Sequence, residues 1–319
     1  MANDKAKQIS NEQRQLLAQF IIDSIEQGGV QRWHAGWKPY LLAHKNGKSG
    51  RYYNGVNRLW LSYAAMLEGY TDCRWYTFDS IKYAKGLHLR KGSHATHIEY
   101  WDRRPWYKRD ASGEYVLDED GKKVVDHYYM KLCAVHNVFN GSCVEGLEPL
   151  HFDPKPDEEL FDIADKFIEL AKLGGKFAET SDASAYYVPA TNTINLPVRG
   201  SFDTARDFLA TLLHEFAHST KAQTRMGRKL KEFDDKRAEY AYEELVAELT
   251  ALFVQADLGL DSFGSVTENS TAYLAHWAER TADEDTTAQI ISAITEAQRV
   301  ADWMRSQYEQ HFGKLELAA

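Results

Sequence analysis

The stretch LLHEFAH, residues 212–218, carries the strongest chemical signal in this chain of 319 residues. Apolar residues around it recur with the i, i+3, i+4 spacing of an amphipathic helix, which predicts a helix over residues 202–220. Residues four apart project from one helical face, so His214 and His218 can bind one Zn²⁺ ion through their imidazole nitrogens. Glu215 is then placed to accept a proton from a metal-bound water. The alternative is a structural helix with one buried and one solvated histidine.

A third protein ligand is expected from a neighbouring helix, predicted over residues 236–257. Three carboxylates, Glu243, Glu244 and Glu248, lie beside the apolar face of that helix. We predict Glu244 as the third ligand and Glu248 as the carboxylate that holds a ligating histidine from behind. Glu243 stays open as an alternative ligand, because the sequence does not decide a rotation of one residue about the helix axis. The predicted cofactor is one Zn²⁺ per chain. Candidates for an oxyanion-stabilising donor are Tyr186, Tyr187, Tyr240, Tyr242 and His276.

The net charge of −9 is the average of two unlike halves. Residues 1–150 hold 21 basic and 17 acidic residues, whereas residues 151–319 hold 17 and 30. Between residues 30 and 109 the basic residues outnumber the acidic ones by 15 to 5, and six of the eight tryptophans lie there. Aromatic rings that stack on bases, together with cations that neutralise phosphates, are typical of surfaces that bind single-stranded nucleic acid. The alternative is that the rings belong to the core. The predicted contacts are Arg51, Tyr53, Arg58, Trp75, Arg90 and Lys91.

The segment EGLEPLHFDPKPDEE, residues 145–159, has the composition of a linker and predicts domains over 1–150 and 151–319. The predicted fold class is α+β, with an N-terminal mixed α/β domain and a C-terminal, mainly helical domain that contains a small sheet or hairpin. Predicted N-terminal elements are a helix over 10–27 capped by Ser10 and stopped by Gly28-Gly29, helices over 58–68 and 78–85, strands over 94–102, 124–132 and 133–139, and a polar hairpin tip over 108–123. Predicted C-terminal elements are a hairpin over 185–197 and helices over 202–220, 236–257 and 270–310.

Several classes of protein are excluded by composition. No apolar run approaches the roughly 18 residues of a transmembrane helix, so no membrane association is expected. The first fifteen residues have no apolar segment of the kind found in secretory signals. Three scattered cysteines predict a reducing compartment, the cytoplasm, rather than a disulfide scaffold.

A set of motifs, in order along the chain, resembles the ArdC-type antirestriction proteins of conjugative plasmids and phages. In the first half the matching motifs are WKPY (37–40), RYYNGVN (51–57), WYTF (75–78), GLHLRKG (86–92) and VFN (138–140). In the second half they are YVP (187–189), INLP (194–197), LHEFAHST (213–220) and EELVAE (243–248). Members of the family usually have an aromatic residue and a glycine soon after the second histidine. This chain has Ser219 and Lys221 there.

The resemblance implies an N-terminal domain that binds single-stranded DNA, joined to a zincin-like metallopeptidase domain. It also implies that the protein protects mobile DNA from restriction in the cell that the DNA enters, and that the protein enters that cell with the DNA. The candidate peptidase substrate is a host protein. A gluzincin-type peptidase would lay an extended peptide along a strand of the 185–197 hairpin. The rival hypothesis is a DNA-binding protein in which the metal only stabilises the fold. The presence of Glu215 favours the enzyme, since a scaffold needs no base beside the metal.

Overall fold

The computed structural model describes residues 2–26, 43–150, 155–182, 184–260 and 282–314. The α-helices in these ranges are α1 (Ala2–Glu26), α2 (Gly55–Glu68), α3 (Phe78–Lys82), α4 (Asp157–Gly174), α5 (Ala205–Ser219), α6 (Lys236–Asp257) and α7 (Glu284–Phe312). The strands are β1 (Lys45–Asn46), β2 (Arg74–Tyr76), β3 (His88–Leu89), β4 (Thr96–Tyr107), β5 (Val125–Asn140), β6 (Val144–Glu145), β7 (Lys176–Thr180), β8 (Tyr186–Val188) and β9 (Thr193–Pro197). The predicted α+β class is confirmed. None of the described helices is both long and apolar enough to cross a bilayer.

The N-terminal half is built on a four-stranded sheet in the order β1-β2-β5-β4, with β3 and β6 paired beside it. Strands β4 and β5 are antiparallel and form a long two-stranded ribbon. The prediction of separate strands over 124–132 and 133–139 was wrong: the chain runs through as one strand, with a bulge where β4 passes from Tyr100 to Trp101. A bulge adds a residue without ending a strand, so it leaves no turn signal in the sequence. The polar tip turns at Gly113 and Gly121, whose φ angles are +86° and +76°.

Helix α1 begins at Ala2 rather than at Ser10, so the predicted cap was wrong. Ser10 is buried and its hydroxyl donates to the Glu99 carboxylate on β4. Arg14 donates to both oxygens of the same carboxylate, at 2.7 Å each. Burial raises the pKa of Glu99, but the hydrogen bonds and charge of Arg14 outweigh burial and bring the pKa below its usual value. This cluster holds α1 against the ribbon. The predicted stop at Gly28-Gly29 lies outside the described residues.

The C-terminal half contains a three-stranded sheet in the order β7-β9-β8, on which α4 and α5 pack, and α6 and α7 join these helices in one core. Strand β9 is parallel to β7 and antiparallel to β8. The predicted 185–197 hairpin corresponds to β8 and β9, whereas β7 was not predicted. Helix α5 begins after Thr204, whose hydroxyl accepts a hydrogen bond from the Asp207 amide at 3.1 Å. Helix α6 has the predicted bounds. Residues 270–281 of the last predicted helix lie outside the described residues, residues 282 and 283 are not helical, and α7 begins at Glu284.

One hydrophobic core joins the two halves of the chain. Buried residues of α1 and α2 lie in the same cluster as those of α5, α6 and α7. Ion pairing reinforces the contact, because Arg58 on α2 donates to Asp257 on α6 at 2.8 Å, with both side chains buried. The boundary proposed near residue 150 therefore divides the sequence into two halves that share a core. The N-terminal members of this cluster are Leu17, Ala18, Ile21, Ile22, Ile25 and Leu59.

Acid is expected to destabilise the protein through His44. Its ring is fully buried, its Nδ1 accepts from Trp75 Nε1 at 2.9 Å, and burial lowers its pKa from 6.5 to about 3. Because only the unfolded chain binds the proton at mild acidity, this contribution is complete above pH 6.5 and is lost as the pH falls toward 3. The free energy of unfolding should fall by about 2–3 kcal/mol more in the wild type than in His44→Gln between pH 7 and 4.5. Urea unfolding at both pH values measures the difference, and equal losses would contradict the assignment.

Candidate metal centre

Three of the predicted site residues converge where α5 crosses α6. The Nε2 atoms of His214 and His218 lie 3.0 Å apart. The Glu244 carboxylate lies 3.4 Å from each of these nitrogens, through Oε2 to His214 and Oε1 to His218. Tetrahedral coordination with bonds of 2.0–2.1 Å places ligand atoms about 3.3 Å from each other. Within the described ranges these three residues form a group whose donor atoms could hold one metal ion.

The outward nitrogen of each histidine faces another carboxylate of α6. His218 Nδ1 lies 3.0 Å from Glu243 Oε1, and His214 Nδ1 lies 3.5 Å from Glu248 Oε1. A hydrogen bond such as that between His218 and Glu243 fixes the tautomer and orientation of a ligating imidazole, whereas His214 and Glu248 lie at ion-pair distance. The Glu248 carboxylate lies on the Nδ1 side of His214, and its predicted role in holding that histidine stays a prediction. Glu243, the alternative ligand, contacts the Nδ1 side of His218, away from the convergence of the two Nε2 atoms.

Arg228 is a part of the site that the sequence did not reveal. It lies in the loop between α5 and α6, is buried, and donates to both oxygens of Glu243 at 2.6 and 2.7 Å. Its Nε also donates to Thr220 Oγ1 at 3.0 Å. Lys221, at one of the positions that depart from the family, places its Nζ 3.1 Å from Glu243 Oε1. A loop residue has no periodicity to reveal its direction, although three carboxylates beside a core face do indicate that positive charge lies nearby.

The electrostatics of the site favour a bound cation. Burial lowers the pKa of His218, but the carboxylates of Glu244 and Glu243 outweigh burial and raise the pKa to about 10. Burial raises the pKa of Glu244, but His218 and His214 outweigh burial and the pKa falls below its usual value. A divalent cation can supply the positive charge that these carboxylates otherwise draw from protons. Glu215 differs, because burial raises the pKa of its carboxyl group. A raised pKa suits a residue that takes up a proton near neutral pH.

The site opens into a cleft of about 1270 Å³. Tyr186 and Tyr187 of β8 line it, as does Tyr240 of α6, so three of the candidate oxyanion donors face the cleft. Tyr242 does not, since its side chain is buried and its hydroxyl lies 2.9 Å from Ser292 Oγ. His276 lies outside the described residues. In the described sheet β8 is an edge strand, so its free edge could pair with an extended peptide.

The predicted nucleic-acid contacts divide into three groups: exposed, buried and intermediate. Arg51, Arg90 and Lys91 are exposed. Trp75 and Arg58 are fully buried, at 0% and 2% exposure, so both predictions were wrong. Trp75 packs under α2 and Arg58 is taken up by the ion pair with α6, which leaves neither side chain able to reach a base or a phosphate.

Tyr53 is intermediate in exposure and packs against the same small core as Trp75. Its ring is therefore partly used in holding α2 on the sheet. Composition could not distinguish such rings from surface rings, because both kinds lie in the same cationic stretch.

Two family models match the chain. Residues 11–139 match the N-terminal domain of anti-restriction factor ArdC. Residues 163–296 match a zincin-like metallopeptidase domain. The two matches lie on either side of the proposed boundary and leave the segment between them unassigned.

Several whole proteins are similar to the chain. It is 30% identical over 299 residues to a DNA primase TraC of Escherichia coli and 28% identical over 296 residues to another. These matches cover 91% and 90% of the chain, which spans 20% and 26% of the respective TraC proteins. The uncharacterized protein y4eC of Sinorhizobium fredii (strain NBRC 101917 / NGR234) is 30% identical over 310 residues, covering 96% of both chains.

Solved structures of the antirestriction ArdC protein from plasmid R388 share the fold. The metal-free structure has a TM-score of 0.65 and 30% identity, and the Mn(II)-bound structure has 0.64 and 27%. Each comparison covers 93% of this chain and 98% of the other. Similarity over both halves confirms the resemblance that the motifs indicated: the chain belongs to the ArdC family of antirestriction proteins.

Proposed function

We propose that this protein protects incoming DNA from restriction by binding it as a single strand, and that its C-terminal half is a zinc-dependent peptidase. The observation that carries the peptidase proposal is the convergence of two histidine nitrogens and the Glu244 carboxylate beside Glu215. The proposed domains are residues 1–150 for DNA and 151–319 for the peptidase. Their place of action would be the cytoplasm, where restriction enzymes meet incoming DNA.

The chemistry proposed for the site needs few groups. His214, His218 and Glu244 would hold the ion, and Glu243 and Glu248 would orient the two imidazoles. A bound divalent cation supplies Lewis acidity, which makes a coordinated water more acidic and polarises a peptide carbonyl. Glu215 would accept a proton from the attacking water on its carboxylate and would return that proton to the leaving amine. Strand β8 would hold the substrate backbone, and a host protein is the proposed substrate.

The donor set supports zinc as the ion. Two histidines and one glutamate, with a coordination position left for water, form a typical catalytic zinc site. The R388 protein has been solved with Mn(II), so a divalent ion occupies that relative. Competition between Zn²⁺ and Mn²⁺ for the apoprotein would identify the preferred ion here.

The DNA-binding half of the proposal is supported by the family and by charge. The R388 relative is an antirestriction protein and the TraC relatives are DNA primases. The basic stretch between residues 30 and 109 gives this half the charge that phosphates require. Single strands are the favoured form, because exposed aromatic rings can stack only on unpaired bases.

Replacing Glu215 by glutamine is expected to separate metal binding from turnover. Glutamine keeps the size of the side chain but takes up no proton, so cleavage of casein or of a host extract should fall at least about 100-fold. Metal content should stay at one ion per chain, whereas His214→Ala should lose it. Wild-type protein without stoichiometric metal, or a glutamine variant as depleted as the alanine variant, would contradict the assignment.

The non-catalytic scaffold is the second candidate, favoured by the shared core that couples the zincin-like half to the rest. Protection of transferred DNA in a restricting recipient distinguishes the two. If Glu215→Gln protects as well as the wild type, DNA binding is the protective function and the peptidase is separate. Loss of protection with metal and DNA binding intact would support the enzyme.

A further inference from the structure

Exposed aromatic side chains cluster on the β4–β5 ribbon. Tyr100, Trp106 and Tyr128 are 52%, 54% and 50% exposed, and Tyr129 is 39% exposed. Burying such rings is ordinarily favourable, so a run of them left in water along one element indicates a partner. The question is which partner the ribbon is built to take.

The strand register assigns these rings to two faces. Directly paired residues share a face of the ribbon, so Arg104 lies on the same face as Tyr129, and Trp106 on the same face as His127. Arg104 and Trp106 are two residues apart on β4, so both pairs lie on one face. Tyr100 belongs to that face by the same alternation along β4. We name it the outer face; its members are Tyr100, Asp102, Arg104, Trp106, His127, Tyr129 and Lys131.

Rings of the opposite face are already covered by cations of this chain. The Arg103 guanidinium lies 4.0 Å from the centroid of Tyr128, and the Arg14 guanidinium of α1 lies 4.9 Å from that of Trp101. Such contacts occupy the π surface on which a base would stack. The opposite face is thus turned toward α1, and its rings are engaged.

The outer face combines rings with cations. Trp106 lies nearly parallel to His127, with a centroid distance of 6.0 Å and an angle of 17°, and meets Tyr129 edge-on at 5.9 Å. Arg104 is 53% exposed and is paired with Asp102 at 2.8 Å, so its guanidinium is held over this face. Lys131 lies opposite Asp102 and is exposed. Aliphatic side chains, which a protein partner would need, are missing from this set of seven.

The geometry points to the outer face as the surface on which single-stranded DNA binds, with bases stacked on Trp106, Tyr129 and Tyr100 and phosphates on Arg104 and Lys131. The inference rests on the proposed DNA-binding function and assigns it to a surface that the sequence-predicted contacts did not include. An antiparallel ribbon that carries exposed rings along one face suits a single strand, because each unpaired base offers a face to a ring. Duplex DNA, whose bases are stacked on one another, gains nothing from these rings.

The test measures binding of a fluorescent oligothymidine to the full chain by anisotropy. Trp106→Ala/Tyr129→Ala should bind at least about 10-fold more weakly, and Trp106→Phe/Tyr129→Phe should recover most of the affinity. Arg104→Ala should lower the slope of log affinity against log salt by about 0.7, whereas the ring variants should leave the slope unchanged. Phe78→Ala/Tyr83→Ala, which removes two exposed rings at the first residue and the C-cap of α3, is the matched control and should bind as the wild type does.

The outcomes separate the inference from the function on which it rests. A wild-type chain that does not bind oligothymidine at low salt would contradict the proposed function. Wild-type binding that is unchanged by Trp106→Ala/Tyr129→Ala would overturn the assignment of the surface alone. Weaker binding by Phe78→Ala/Tyr83→Ala, with Trp106→Ala/Tyr129→Ala unaffected, would also overturn the assignment of the surface. It would indicate that DNA binds in the region of Arg90 and Lys91 instead. Circular dichroism and metal content should match the wild type in every variant.

Discussion

Replacing Glu244 by glutamine is expected to weaken zinc binding by more than about 100-fold, and replacing Glu243 by glutamine by about 10- to 100-fold. The difference follows from geometry. Glu244 faces the Nε2 atoms of both histidines, whereas Glu243 contacts His218 Nδ1 and is held on its other side by Arg228. Loss of a ligand leaves an open coordination position. Loss of a supporting carboxylate leaves the ligand in place with less control over its orientation and basicity.

Zinc affinity of each apoprotein, measured by competition with a chromophoric chelator, provides the comparison. Glu239→Gln is a suitable control, because Glu239 lines the same cleft but pairs with the exposed Lys236 at 2.8 Å rather than with a histidine. Its affinity should match that of the wild type. A larger loss in Glu243→Gln than in Glu244→Gln would make Glu243 the ligand and refute the arrangement described.

Replacing Asp257 by asparagine should lower the free energy of unfolding by about 3–5 kcal/mol. The change would leave the Arg58 guanidinium buried between α2 and α6 without its countercharge. Arg58 also donates to the Phe253 carbonyl at 3.1 Å and lies over the Phe253 ring at 4.9 Å, but neither contact replaces a carboxylate. Arg305, 3.4 Å from Asp257, would lose a partner as well.

A double variant tests whether burial is the cause. Arg58→Met/Asp257→Leu removes both charges from the interior and should recover more than half of the lost stability, because a buried ion pair is often replaceable by apolar side chains. Urea unfolding followed by circular dichroism gives the values. Glu239→Gln, which breaks an exposed ion pair, should change the stability by no more than about 1 kcal/mol. A loss of that size in Asp257→Asn would mean that Arg58 is hydrated.

The sequence predicted the parts of the site that lie on helices. Fixed spacing on α5 places His214 and His218 on one face, and the same rule brings Glu244 and Glu248 to one face of α6. The rotation of α6 about its axis determines whether Glu243 or Glu244 faces the two Nε2 atoms, and only packing fixes that rotation. Arg228 escaped prediction because a loop has no such rule.

The DNA contacts were harder to predict, for a different physical reason. Arginine and tryptophan have large apolar surfaces, so either can serve in a core or on a surface. Arg58 and Trp75 stand in the most cationic stretch of the chain, yet both are interior side chains of α2 and β2. The exposed rings lie instead on the β4–β5 ribbon. They come together because two strands separated by the polar tip pair with each other, and composition does not reveal that pairing.

The joint core of α1 and the C-terminal helices also bears on how the protein is made. Gln15 of α1 donates to the Ala282 carbonyl, and the Ala282 amide donates to Gln19. Some 260 residues separate these partners. At about 5–20 residues per second, a ribosome needs on the order of 13–50 s to synthesise that interval. Throughout that time α1 lacks its partners from α5, α6 and α7, although α2 and the ribbon are already made, so this part of the shared core is completed late.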